Sequence, residues 1–310
     1  MTTRPTPAPT NGAARQTAHA DTRGNGRAAG GAREPGERSR VLLGEMTWPE
    51  VAAARERAPL ALLPVGACEQ HGPHMALETD TARAEEFCVL LAQRLAPRAV
   101  VAPCLPVGVS EHHMAFAGTL TLSAVTLQQV LYEVGESLYR QGWRRLFILN
   151  GHGGNEPAIG VATGRLQAAL PDLRIAYSGI TPVVPDVARQ LAVSAVNGHA
   201  CEIETSQTLY LRPHLVRPDR YEAGALLPTA DLPYAGQNGP GRVRFPQPFH
   251  LATANGALGD PRASTAEIGR ELIERALDRL CEFLEAFLVD ARAAAATAGT
   301  AASATADPVR

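Results

Sequence analysis

The chain has 310 residues with 29 basic and 31 acidic side chains, a formal charge of −2, so it lacks the basic excess that draws nucleic acid or an anionic membrane surface. It contains no uninterrupted apolar run of the ~18 residues that a membrane helix needs, which excludes a hydrophobic span. Five cysteines, Cys68, Cys88, Cys104, Cys201 and Cys281, are odd in number and form no CxxC pair; this speaks against a disulfide framework and for a reducing, cytoplasmic setting.

Residues 1–40 are Thr, Ala, Gly, Pro and Arg with almost no large apolar side chains. Such a composition cannot offset the entropy of ordering and predicts a solvated tail; the Arg content resembles a transit peptide, but Gly and Pro interrupt any amphipathic helix there. Leu60–Val65 predicts a buried strand ending at Gly66, and Thr79–Leu95 a helix stopped by Pro97. Val100–Val107 predicts a second strand, Thr126–Gln141 a helix ended by Gly142, and Arg145–Leu149 a third strand. A helix over Pro157–Leu170, a strand over Leu173–Tyr177 and a long closing helix over Glu267–Leu288 follow. In the closing helix, apolar residues at 268, 272, 276, 280, 284 and 287 make one stripe. The β-α-β-α-β-α-β order predicts an α/β fold with a mostly parallel sheet covered by helices, in one domain over residues 41–290 with a second tail over 291–310.

Three polar clusters carry chemistry, and the first two begin where an apolar strand stops, the place where parallel sheets bind ligands. The first is Glu69-Gln70-His71-Gly72-Pro73-His74 with Glu78-Thr79-Asp80. Glu69 and His71 share a face of an extended segment, and the Gly72-Pro73 turn returns the chain so that Asp80 approaches them. Two carboxylates and an imidazole suit zinc, manganese or iron; the plain alternative is a solvated loop with a helix cap at Asp80. The second is Asn150-Gly-His152-Gly153-Gly154-Asn155, whose glycines allow close approach and positive φ around a single histidine. A phosphate cradle is the competing reading, but the segment lacks the GxxxxGK[ST] pattern. The third is His199-Ala-Cys-Glu202-Ile-Glu204-Thr205-Ser206. Two buried carboxylates at that spacing need a cation or a proton for company, although one of them also suits a helix N-terminus. Between the clusters, Ser110-Glu-His112-His113 lies on a polar loop that lines a pocket. Adjacent histidines point apart, so at most one of the two is expected to face the site, with Ser110, His113, Gly153 and Glu202 as substrate contacts.

Taken together, Pro64–His74 with Thr79-Asp80, His113-Met-Ala-Phe-Ala-Gly-Thr119, Asn150–Asn155 and His199–Ser206 resemble, in order and over about residues 43–288, the creatininase (creatinine amidohydrolase) family. The Gly-His-Gly-Gly-Asn pattern is closest to the subgroup with the mycofactocin precursor peptidase and a deazaflavin-pathway formamide hydrolase. The resemblance implies a three-layer α/β/α domain, a homo-oligomer such as a hexamer, and two divalent ions (Zn, Mn or Fe). It places Glu69 and His152 on one ion, His71 on the other and Asp80 between them. A metal-bridged hydroxide would then cleave a C–N amide bond, with His199 passing a proton to the leaving nitrogen. In creatininase proper a glutamate follows the metal-site histidine by two residues; here that position is Gly154, so the fifth ligand is expected at Glu204, or failing that Glu202. Creatininase also packs its ring substrate against tryptophans just before the proton-shuttling histidine, where this chain has Ala195 and Val196. The expected substrate is therefore another small amide, formamide, cyclic amide or peptide, with trimming of a biosynthetic precursor peptide as the alternative. A binding protein that has lost catalysis is the reading from another class. The Pro- and Gly-rich loop from Leu226 to Phe249 is expected to act as a lid or subunit contact.

Overall fold

The computed structural model describes residues 41–194, 196–227 and 246–289. The two expected tails and most of the expected lid lie outside these residues. Strand β1 (Leu60–Val65) is wholly apolar and every residue in it is buried, as a strand covered on both faces must be. It pairs in parallel with β2 (Ala99–Val101) on one side and β3 (Arg145–Asn150) on the other, and β4 (Arg174–Gly179) completes the order β2-β1-β3-β4. The second strand is shorter than its apolar run predicts. Pro103 and Pro106 lack the N–H that a ladder requires, and pairing beyond Val101 is reduced to one bridge between Leu105 and Val65.

Alternation along β1 sorts the core into two layers. Leu60 and Leu62 face α2 (Thr79–Arg94) and α8 (Ala266–Leu288), with Phe87, Leu91, Leu272 and Leu280 in the same cluster. Ala61, Leu63 and Val65 face α3 (Ala124–Arg140) and α4 (Glu156–Ala169), against Leu127, Leu131, Ile159 and Leu166. The result is the three-layer α/β/α arrangement. A short α1 (Trp48–Arg55) precedes β1. After β4 come α5 (Ile180–Val183), α6 (Pro185–Leu191), β5 (Asn197–His199) and α7 (Glu202–Leu211). Strand β5 pairs antiparallel with β6 (Leu258–Gly259) in a separate two-stranded sheet.

Helix boundaries follow capping chemistry. Ser123 Oγ accepts from the Thr126 N–H at the start of α3, and Thr265 Oγ1 from Ile268 N–H at the start of α8, each at 3.1 Å. The predicted stripe on α8 is centred on Leu272, Ala276, Leu280 and Leu284, widened by Gly269, Ile273 and Leu277 on the buried side, with Ile268 and Phe287 at its margin. Gly269 is where α8 crosses α7: a Cβ there would stand 1.8 Å from the Ser206 carbonyl oxygen. Backbone cannot yield as a flexible side chain does, so Gly269→Ala is expected to cost at least ~1–3 kcal/mol of overpacking. A urea midpoint equal to that of the native protein would show that the two helices are not locked at this crossing.

Candidate metal centre

Strands β1 and β3 lie side by side, while the connections leaving them run to opposite edges of the sheet. Their carboxyl ends therefore flank the switch point at which such sheets form a crevice. Glu69 and His71 follow β1, and His152 follows β3. Gly72, with φ +62°, turns the chain so that His71 bridges Met75, and Asp80 then enters in the first turn of α2. Close contacts hold these ends together. A Cβ on Gly66 would stand 2.4 Å from Thr81 Cα, and one on Gly151 would stand 2.4 Å from the Asp80 carbonyl. None of Gly151, Gly153 and Gly154 has positive φ; Gly151 and Gly154 serve close approach, not the left-handed backbone that the sequence also allowed.

Three imidazoles share one arrangement. His71 Nδ1 donates to the Glu69 carbonyl at 3.2 Å, His152 Nε2 to Val109 O at 3.0 Å, and His199 Nε2 to Gln70 O at 2.7 Å. A carbonyl only accepts, so each ring has its proton on that nitrogen and turns the other towards the carboxylates. His71 Nε2 lies 3.2 Å from Asp80 Oδ1. His152 Nδ1 lies 3.2 Å from Glu69 Oε1 and 3.4 Å from Asp80 Oδ2. His199 Nδ1 lies 3.7 Å from Glu69 Oε1 and 4.0 Å from Glu204 Oε2.

Glu69 and Asp80 are held by one oxygen and open at the other, whereas Glu204 is held by both. Glu69 Oε2 accepts from Ser110 Oγ at 2.6 Å, and Asp80 Oδ1 from Arg83 Nη1 at 3.3 Å. Glu69 Oε1 and Asp80 Oδ2 are buried without a hydrogen-bond partner. Glu204 Oε1 accepts from Arg83 at 3.1 Å, and its Oε2 from the Ala200 N–H at 2.7 Å. Ala200 has φ +50°, a left-handed conformation that lets its N–H meet this carboxylate at the entry to α7. Two orphaned carboxylate oxygens facing free imidazole nitrogens are the donor set of a divalent cation site. Within the cluster, Glu69, His112 and His152 bring ligand atoms within 4.8 Å of one another, as do His71, Asp80 and Glu204, and also Glu69, His71 and His199.

Charge follows the same geometry. Burial opposes a charge on His71, but the Asp80 carboxylate outweighs it and lifts the ring to about 9. His152 is also raised, its burial overcome by Glu69 and Asp80. Asp80, which burial alone would raise, is held well below the usual carboxylate range by the charge on His71 and by His152. Burial and then the charge of His71 push His199 down, leaving a neutral imidazole.

Thus Glu69, His71, Asp80, His152, His199 and Glu204 converge; of the other sequence candidates, Ser110 and His113 touch the cluster at Glu69, while Glu202 and Gly153 separate from it. Glu202 is fully buried and turned away: its carboxylate accepts the N–H groups of Val193 and Ser194 at 2.9–3.2 Å. Peptide N–H groups of the loop that follows α6, not a cation, keep it company, so its carboxylate points away from the centre. Ser110 is occupied in orienting Glu69. Gly153 is exposed, with open space where a Cβ would be. His113 is buried beside Phe249, ring centroids 4.1 Å apart.

Four participants escaped sequence reasoning. Arg83 is buried and bridges Asp80 and Glu204; its position three residues after Asp80 on the helix was the available signal. Gln70 takes the Gly72 N–H on its Oε1 at 2.9 Å, which fixes the amide so that Nε2 donates to Gly256 O at 3.0 Å and to His113 Nδ1 at 2.8 Å. Phe249, the last residue of the expected lid, packs on His113 and His199. His112 also reaches the cluster, so the expectation that only one of the two adjacent histidines does so is corrected: a 3-10 turn over Glu111–His113 places both rings on the same side. Alongside Glu204 and the backbone flanking His199 lies a cavity of about 500 Å³, lined by Thr181, Arg189, Ser194, Asn197 and Gly198 among others. Neither tryptophan lies near it; Trp48 is exposed on α1, and Trp143 is buried with its indole N–H on Ala58 O.

The family model for creatininase, described as creatinine amidohydrolase, matches residues 44–284. The chain is 32% identical over 245 residues to a mycofactocin precursor peptide peptidase of Mycobacterium ulcerans, covering 76% of this chain and 89% of that protein. It is 30% identical over 253 residues to a creatinine amidohydrolase of Pseudomonas putida, covering 76% and 92%. A crystal structure of creatinine amidohydrolase (creatininase) overlays with a TM-score of 0.69 at 27% identity, over 81% of this chain and 99% of its own. A mutant creatininase of Zn–Zn type overlays at 0.68 and a Mn creatininase at 0.64, both 28% identical; they cover 80% and 81% of this chain and 98% and 99% of their own.

Raised imidazoles fix the sign of the pH effect. In the metal-free protein His71 contributes stability that is full below its ordinary 6.5 and is lost as pH rises through about 9. A cation at this centre must displace the protons of His71 and His152, so zinc binding at pH 7 is expected to release about two protons per chain. Calorimetric titration in buffers of different ionisation enthalpy counts them. Binding with no proton release would remove these imidazoles from the ligand set.

Proposed function

The chain belongs to the creatininase family, whose members hydrolyse carbon–nitrogen bonds, and from that premise we propose a divalent-metal-dependent amidohydrolase acting on a linear or cyclic amide, formamide or small peptide. The observation that carries this reading is the pair of buried, unpartnered oxygens, Glu69 Oε1 and Asp80 Oδ2, facing three imidazoles pinned by backbone carbonyls. Glu69 and His152 would hold one ion, His71 and Glu204 the other, with Asp80 between them. When bound, such ions supply Lewis acidity that polarises an amide carbonyl and acidifies water at neutral pH.

The chain's own part in the reaction is positioning and proton transfer. Ser110 keeps Glu69 from rotating, and Arg83 balances the charge of Asp80 and Glu204 while leaving Asp80 Oδ2 open. His199, neutral and fixed through Nε2, has Nδ1 free on the side of Glu69 and Glu204. That nitrogen would accept the proton of the attacking water and return it to the departing amine, without which the tetrahedral adduct expels water instead. The cavity beside Glu204 is of a size typical of small-molecule sites. It has no tryptophan among its lining residues, which favours a linear amide or peptide over a flat creatinine ring. Trimming of a precursor peptide is the more specific form of this reading. It is supported by the 32% identity to the mycofactocin precursor peptide peptidase and by that cavity.

Metal content per chain separates this proposal from a protein that only keeps the fold. Two divalent ions in the native chain and their loss in Asp80→Ala are expected by elemental analysis; equal content in both proteins would sink the shared carboxylate. His199→Ala is expected to keep its metal and lose about 10²–10⁴ in turnover on amide or peptide substrates. Full activity in that variant would take the proton-transfer role away from His199.

A further inference from the structure

His112 stands beside the cluster with no task in the reaction described above. Its ring lies 15° from parallel to that of His152, with centroids 5.5 Å apart, and edge-on to Phe249 at 5.6 Å. Among the described residues, neither of its ring nitrogens makes a hydrogen bond. One of them falls within 4.8 Å of the ligand atoms of Glu69 and His152. Its neighbour His113 differs: Nδ1 accepts from Gln70, so the proton sits on Nε2, which faces Glu69 Oε1 at 3.5 Å as a donor. Of the adjacent pair, His112 alone has an uncommitted lone pair towards the centre.

Position 154 explains why the donor comes from this loop. A Cβ there would stand 2.4 Å from His152 Nε2, 2.4 Å from Val109 O and 3.0 Å from His112 Cε1. The chain after His152 thus has no room for a side chain of its own on this flank, which His152 Nε2 and Val109 O occupy, and the imidazole of His112 borders the same place. Ring stacking sets its position and leaves its nitrogens unclaimed.

We propose that His112 is a ligand of the ion held by Glu69 and His152, so that this position has two imidazoles and is more nitrogen-rich than the position formed by His71, Asp80 and Glu204. The inference rests on the two-ion reading above. Nitrogen donors favour zinc and cobalt over manganese, so the two positions would differ in metal preference.

Titration of the full-length, metal-free protein with zinc, and separately with cobalt(II), against a competing chelator tests this in native protein, His112→Ala and His112→Gln. The native chain is expected to bind two ions. Both variants are expected to bind one of them unchanged and the other at least ~10–100-fold more weakly, with the visible cobalt bands altered for the weakened ion only. Urea unfolding of the metal-free forms reports folding independently, and His112→Gln, close in volume, carries the test if His112→Ala fails to fold. Two ions bound by the variants with native affinities and native cobalt bands would overturn the role of His112 and leave the two-ion site standing. Failure of the native chain to bind any ion would overturn both.

Discussion

Everything at the centre of this molecule follows from burying three carboxylates within reach of one another. Glu69 and Asp80 are withdrawn from water and Glu204 nearly so, and each buried charge has a desolvation cost of several kcal/mol unless it is compensated. Among the described residues, one permanent cation stands against them, Arg83, and that guanidinium reaches Asp80 and Glu204 but not Glu69. The remaining positive charge has to arrive as protons on His71 and His152 or as metal ions. The same arrangement that raises those imidazoles without metal becomes a ligand set once their protons leave. Proton and metal compete for one site because the carboxylates demand a cation of either kind.

Precision comes from backbone, which does not rotate. Three imidazoles are each tethered to a main-chain carbonyl, of Glu69, Gln70 and Val109, and those carbonyls lie on segments leading from the ends of a four-stranded parallel sheet. Ser110 and the Ala200 N–H do the same for the carboxylates. Such outer contacts fix both tautomer and orientation, so the inner atoms are preorganised before any ion or substrate is present. Glycines at 66 and 151 let α2 come close enough to deliver Asp80. Gly154 lets its segment pass close to His152 Nε2 and Val109 O, with His112 at the border of the same space.

The creatininase family model spans residues 44–284 and a creatininase structure overlays on this fold. The chain lacks tryptophan where a flat ring would be gripped. Its wall is made instead by Phe249, His112 and His113 on one side and by a cavity running past Glu204 towards Arg189 on the other. Conserving the hydrolytic chemistry while reshaping the approach to it is how one site serves different amides.

From sequence alone, the alternating order of apolar and amphipathic runs determined a parallel sheet between two helical layers, because each run is long enough to declare its own period. The motifs after β1 and β3 likewise announced Glu69, His71, Asp80 and His152, since their residue types and their place at strand ends are local facts. Only the tertiary structure sets Glu204 apart from Glu202, two positions away on one helix start: one points at Arg83 and the centre, the other into peptide N–H groups. It also cut β2 short at its prolines, recruited Arg83, Gln70 and Phe249, and turned His112 inward. Each of these depends on what lies opposite in space, 43 to 186 residues away in the chain for the contacts of Gln70 and Arg83 with Thr119, His113, His199, Gly256, Glu204 and Gln207. Local pattern carries no record of such partners; the packing of strands and helices chooses them.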